Sequence, residues 1–192
     1  MFKVLSFTAL IVYMLTSQAM AQESYRADAS DELQHAYFQA ARVGNNEMLD
    51  AFYKAGLTPN VGDKKGYTAL ILAAYNGQVD TVDYLLNEVK VDACQEDNRG
   101  NTALMGALFK GNLSIVKTLI KTDCDVNKAN SNGQTAIMFA ALFDRQGAIE
   151  KLVEAGADIK IKDSAGNSLS DIALSQGNYD LVEKLETSEE GS

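Results

Sequence analysis

The sequence predicts an all-α repeat solenoid of about five helix-turn-helix units with β-hairpin or turn extensions, the terminal units acting as caps. Three observations lead there. Gly66, Gly100, Gly133 and Gly166 recur at intervals of 34, 33 and 33 residues. Each opens a similar phrase: GYTALILAA, GNTALMGAL, GQTAIMFAA and GNSLSDIAL. Behind each phrase runs a second apolar set, as in Val82, Leu85 and Leu86, then Val116, Leu119 and Ile120, then Ile149, Leu152 and Val153. A fixed period of this length marks units that bury their apolar faces by stacking on one another.

Taken in order, the chain begins with Lys3, an apolar run from Val4 to Leu15, and Ala19-Met20-Ala21. This is the pattern of an export leader cut after Ala21. A membrane anchor is the alternative, but the run would extend only ~18 Å as a helix against a ~30 Å hydrocarbon core. Residues 1–21 are therefore read as a signal peptide and 22–30 as a flexible segment. Residues 31–186 form the repeat domain, with units at 31–63, 64–97, 98–130, 131–163 and 164–186, and 187–192 form a disordered tail. The first unit is degenerate: stepping back from the second apolar set lands on Leu49, Phe52 and Tyr53, and its loop glycine is Gly44.

Within each unit, Thr68, Thr102 and Thr135 stand where a hydroxyl can cap a helix start. Gly44, Gly77, Gly111 and Gly177 stand where the first helix ends in a left-handed residue, and Asp144 holds that place in the fourth unit. Ala73-Ala74 and Ala140-Ala141 are small enough for close helix contact. Asp97, Asn130 and Asp163 precede the next glycine by three residues, as a turn requires. Unit two carries one extra residue within Glu88-Val89-Lys90-Val91, so its extension is expected to depart from the others.

These phrases resemble the ankyrin-repeat family, whose unit reads roughly DxxGxTPLHxAAxxGxxxxVxxLLxxGADVN. EAGADIKIKDSAGNS (154–168) follows it nearly word for word, and the resemblance runs from about Asp31 to Glu186. It implies non-enzymatic protein binding on the side formed by turn tips and first helices. The family's Pro and His are replaced by Ala69 and Ile71, Ala103 and Met105, and Ala136 and Met138. Loss of that His removes a hydrogen bond, so these units are expected to hold less rigidly. Ser168, Ser170 and Asp171 make the last unit more polar, as suits a terminal repeat.

Composition removes several other functions. Seventeen basic against 26 acidic residues give a net charge of −9, and the leader holds one Lys and no acid. Nucleic acid and anionic membrane surfaces both need clustered positive charge, so neither is expected as a partner. One His and two Cys cannot build a multi-ligand zinc centre. His35 has no second His to orient it and reads as a surface or partly packed cap residue, so no catalytic residue, metal or cofactor is assigned. Asp125 to Asn130 lacks the Gly and Glu of a calcium loop and reads as a turn. Asn112-Leu113-Ser114 is formally a glycosylation sequon, with an interhelical turn as the plainer reading. Cys94 and Cys124 lie 30 apart at non-equivalent positions. Equivalent positions would be ~8–10 Å apart, too far for a disulfide, and the offset could shorten or lengthen that distance. An exported compartment favours pairing, and two separate half-buried residues are the alternative.

From the register, the expected partner-binding residues are Arg42, Lys64, Lys65, Tyr67, Tyr75, Asn76, Arg99, Phe109, Lys110, Leu142 and Phe143. Apolar residues cross three units, and five bases (Arg42, Lys64, Lys65, Arg99 and Lys110) share this face. The alternative is that Phe109 and Leu142 pack between units and the charges are ordinary solvated ones. The pattern points to a monomeric binding protein in the bacterial periplasm, or secreted beyond the cell. Its partner would be another protein, an exported enzyme with an acidic and partly apolar patch. Covering that enzyme as an inhibitor or self-protection (immunity) protein is the leading reading. The alternatives are a chaperone-like stabiliser of a periplasmic enzyme, such as one in oxidative-stress defence, and a secreted effector that binds host proteins.

Overall fold

The computed structural model describes residues 31–190, so the expected leader and the 22–30 segment lie outside the described residues, as do 191–192. The chain divides after Tyr37 into two units. Of the first unit only 31–37 are described, and they are helical. The second unit, from Phe38, is built from the rest of helix α1 (31–43) followed by helix pairs. These are α2 (Asn46–Lys54), α3 (Ala69–Asn76) with α4 (Val79–Tyr84), α5 (Ala103–Lys110) with α6 (Leu113–Leu119), α7 (Ala136–Leu142) with α8 (Gln146–Glu154), and α9 (Leu169–Ser175) with α10 (Tyr179–Glu190). Helix α10 runs into the segment expected to be a tail.

The pairs make two layers. First helices pack in the order α3, α5, α7 and α9, and second helices in the order α4, α6 and α8. Alanines make the inner layer tight: Ala73, Ala74, Ala107, Ala140 and Ala141 are fully buried. Larger side chains fill the space between layers, among them Leu85, Leu108, Ile115, Ile137, Met138 and Leu152. Burying a Leu or Ile stabilises by roughly 1.5–3 kcal/mol, so this interlayer seam carries most of the folding drive.

Local chemistry fixes the helix ends. The Thr68 and Thr102 hydroxyls accept hydrogen bonds from Ile71 N at 3.2 Å and Met105 N at 3.4 Å. Thr135 does not follow them. Its Oγ1 is buried without a hydrogen-bond partner among the described residues, and α7 starts on backbone bonds alone. At the other end of α1, α3 and α5, a residue of the following unit reaches back to open carbonyls. Gln78 donates to Arg42 O at 2.9 Å and Asn112 to Ala74 O at 2.9 Å. Arg145 donates to Leu108 O at 3.0 Å and Phe109 O at 3.1 Å. A helix otherwise leaves its last carbonyls unmet, so this row ties unit to unit as it caps. Asn112 is thereby engaged as an interhelical turn residue.

The extensions are turns rather than paired strands. The described residues contain no strand, only an isolated antiparallel bridge between Gly62 and Thr68. The reason is side-chain competition for the backbone. Asp97 Oδ1 takes the N–H groups of Arg99 at 2.8 Å and Asn101 at 2.9 Å, and Asp63, Asn130 and Asp163 do the same in their own units. Successive tips are then joined by Asn98 N to Lys65 O, Ser131 N to Arg99 O and Ser164 N to Asn132 O, at 2.8–2.9 Å. The extra residue of unit two is absorbed as a single π-helical turn, Leu85–Val89, closed by Lys90 at φ 63°. Wider winding takes up one residue without moving the next unit out of step.

The last unit starts on a reciprocal cap: Ser168 Oγ accepts from Asp171 N, and Asp171 Oδ2 accepts from Ser168 N at 2.8 Å. Hydrogen bonds from the Ser168 side chain and backbone hold the Asp171 carboxyl below the usual carboxylate range. A depressed folded-state pKa contributes stability that is present above the unfolded value and lost as pH falls through the folded one. Acidification below about pH 4 should therefore speed amide exchange in α9 before α5. Asp171→Asn should flatten that pH dependence, and exchange measured between pH 5 and 2.5 tests both.

Candidate protein-binding groove

Four first helices and the neighbouring turn tips enclose a groove of about 580 Å³. One wall is aromatic. Tyr75 and Phe109 stack at 5.6 Å between centroids and 15° between planes, and Phe109 meets Phe143 edge-on at 4.7 Å and 73°. Phe139 extends the row with its centroid 5.9 Å from that of Phe143. Tyr75 and Phe109 hold the same place in their units, Leu142 takes that place in unit four, and the row continues there through Phe143, one residue on, and Phe139. Tyr75 and Phe109 nevertheless stay 39% exposed, so they are neither core residues nor fully solvated. Lys110 Nζ lies 4.9 Å above the Tyr75 ring, which holds its charge at the rim by cation–π attraction.

The opposite wall is polar. Asn130 is buried and donates to Asn101 Oδ1 at 2.9 Å and Gln134 Oε1 at 3.3 Å. The Asp97 carboxylate also faces the groove, but its oxygens accept from two backbone N–H groups and the Asn101 amide. Arg42 pairs with Asp63 at 3.6 Å. Arg99 has no acidic partner among the described residues. The groove thus presents a free guanidinium and an occupied carboxylate, a cationic bias inside an acidic protein.

Of the residues expected from the register, Arg42, Tyr67, Tyr75 and Asn76 line the groove, as do Arg99, Phe109, Leu142 and Phe143. Lys64 and Lys65 stand exposed at the tip outside it, and their backbone carbonyls hold Asn98. The Asn76 amide is turned to its own helix, donating to Leu72 O at 2.8 Å. Sequence reasoning did not place Phe139 in the groove, and it read Asp97 and Asn130 as turn residues without setting them in its wall. Phe139 could have been found, since it lies four residues before Phe143 on the same helix face. The described residues include no helix long and apolar enough to cross a membrane and no group of three or more His, Cys, Asp or Glu that could hold a metal ion.

Cys94 and Cys124 form a disulfide with Cα atoms 5.2 Å apart, tying unit two to unit three. Their offset in the repeat is what brings them within reach.

Comparison with known proteins agrees with this architecture. The family model described as ankyrin repeats (3 copies) matches residues 37–130 and 110–190. A putative ankyrin repeat protein of Pseudomonas aeruginosa is 42% identical over 28% of this chain and 31% of its own length. Palmitoyltransferase AKR1 of Kluyveromyces lactis is 32% identical over 47% of this chain, and ankyrin repeat and SAM domain-containing protein 6 of Rattus norvegicus is 36% identical over 50%. The matched stretches make up only 12% and 11% of those two proteins. With paired helices, joined tips and a family match across nearly all the described residues, the chain belongs to the ankyrin-repeat family.

Proposed function

We propose that this chain is a non-enzymatic protein-binding module that seats an acidic, partly apolar segment of an exported enzyme in the groove, covering it as a periplasmic inhibitor or self-protection protein. The observation that carries the reading is the half-exposed ring row of Tyr75, Phe109 and Phe143 facing Arg99. Exposed aromatic and Arg anchors at the centre of a concave surface commonly dominate association energy. A carboxylate brought to Arg99 would meet a planar donor whose guanidinium no acid pairs among the described residues, Asp97 beside it being taken up by backbone N–H groups and Asn101. An interface of roughly 800 Å² per partner fits across three units.

The test is capture from the producing cell's exported fraction with the full chain as bait, beside the Tyr75→Ala/Phe109→Ala/Phe143→Ala variant with its helicity checked by circular dichroism. The expected result is an enzyme retained by the parent and weakened at least 100-fold by the variant, with its turnover reduced in the complex. Equal capture by both baits would remove the groove from the reading. An enzyme whose turnover rises on binding would replace inhibition with stabilisation.

A further inference from the structure

The repeat register shows what the disulfide replaces. Asn60, Cys94 and Asn127 each stand six residues before a tip glycine (Gly66, Gly100 and Gly133). Asn60 Oδ1 reaches into the next unit to accept from Asp92 N at 3.0 Å. Asn127 does the same two junctions later, accepting from Asp158 N at 2.7 Å and donating to Gly156 O at 3.0 Å. At the junction between them the position is Cys94, and its sulfur is bonded to Cys124 instead. Two junctions therefore carry an amide clasp that no reductant touches. The one between units two and three carries a clasp that exists only when oxidised. A thiol makes a much weaker hydrogen bond than an amide, so reduction leaves nothing equivalent in its place.

This junction is also the middle one of the three that the groove spans. Tyr75 belongs to unit two and Phe109 to unit three, and their rings stack across it. Met105 and Thr102 line the groove on one side and, on the other, a small cavity that Cys124 also lines. The pair is open to solution: both cysteines are half-buried and line a cleft of about 610 Å³. Lys117 and Lys121 border that cleft and favour an incoming thiolate. Asp92 and Asp123 border it too, but Asp92 is occupied by Cys94 N at 2.8 Å and Gln95 Nε2 at 3.0 Å. Other side-chain links cross the junction farther from the pair: Asn112 to Ala74 O at 2.9 Å, Asn98 to Lys64 O at 3.0 Å and Thr118 to Asp83 at 3.5 Å. Beside the cysteines stands Lys128 to Glu96 at 2.9 Å, which is partly exposed and correspondingly weak.

We infer that Cys94–Cys124 is a thiol-exchange site whose opening by a dithiol reductant loosens the junction between units two and three and so controls the groove. This regulation rests on the groove reading above. The chemistry is a two-step exchange. One thiolate of the dithiol attacks a sulfur of the pair, forming a mixed disulfide and releasing the other cysteine as a thiolate. The second thiol then displaces the first, leaving Cys94 and Cys124 reduced and the dithiol oxidised, with two electrons and two protons transferred.

The test uses the full chain with dithiothreitol as probe and amide exchange as readout. Two thiols should become titratable while helicity is retained. Exchange should rise at least 10-fold in residues 93–96, 122–126 and 103–110, and stay unchanged at the Asp92 and Asp158 amides that Asn60 and Asn127 hold. Cys94→Ala/Cys124→Ala should exchange like the reduced protein. Cys94→Asn/Cys124→Ser should restore the amide clasp of its neighbours, exchange like the oxidised protein and ignore dithiothreitol. The inference is overturned if native protein yields no thiols to dithiothreitol, if reduction unfolds the whole stack, if α5 exchange does not change, or if the Asn variant behaves like the Ala variant. None of these readouts needs a partner. Failure of the ring variant to lose capture would sink the groove reading while leaving the clasp, and an unchanged exchange pattern would do the reverse.

Discussion

Leu108→Ala should lower the free energy of unfolding by about 3–5 kcal/mol, whereas Leu174→Ala should cost below about 1 kcal/mol. Leu108 and Leu174 hold the same place in units three and five, two repeat lengths apart. Leu108 is 0% exposed, closed in by α6 and the helices of unit four, and Leu174 is 53% exposed. Truncating the first removes buried methyl groups from a seam held on both sides, and the C-terminal carbonyl of Leu108 is already tied to Arg145, so the site has little freedom to collapse. Truncating the second removes atoms that water already reaches. Urea unfolding of both variants measures the difference, and equal losses would mean that the stack does not bury its units unequally.

The second large effect is steric. Gly100→Ala should cost at least about 3 kcal/mol, and Gly156→Ala only about 1–2 kcal/mol. Both glycines have positive φ, 76° and 91°, so each alanine bears the conformational penalty. They differ in surroundings. A Cβ on Gly100 would lie 2.9 Å from Ser131 N and 3.0 Å from Asn130 Cα, both rigid parts of the next tip, while one on Gly156 meets nothing within 4 Å. Relief at Gly100 must push the tips apart and break the Ser131 N to Arg99 O bond that joins them. Gly156→Ala thus isolates backbone strain, and the excess at Gly100 reports how tightly neighbouring tips are held. Similar midpoints for the two variants would show that the tips yield freely.

Much of this was legible in the sequence because a solenoid is nearly one-dimensional. The glycine spacing located every unit, and Asp97, Asn130 and Asp163 announced the turns that the structure contains. The same register put Tyr75, Phe109 and Leu142 in one row with Phe143 beside it. What failed to transfer were features that depend on contacts and hydrogen-bond geometry rather than on place in the repeat. Arg42 is one of the five bases of this face, yet Asp63 of its own unit pairs with it. Thr135 matched Thr68 and Thr102 in position yet lacks their cap.

The period by itself determined the fold and the face on which Tyr75 and Phe109 stand, because a repeated apolar pattern specifies which face of each helix must be covered. Only the tertiary structure decided how far one unit is displaced against the next. That displacement brings Cys94 to Cys124, three places out of equivalence. Covering by unit four seals Leu108, whereas Leu174, in the last of the described helix pairs, stays open. The reason is physical: periodicity records each residue's place within its own unit, whereas contact depends on the translation and rotation between units, which packing sets.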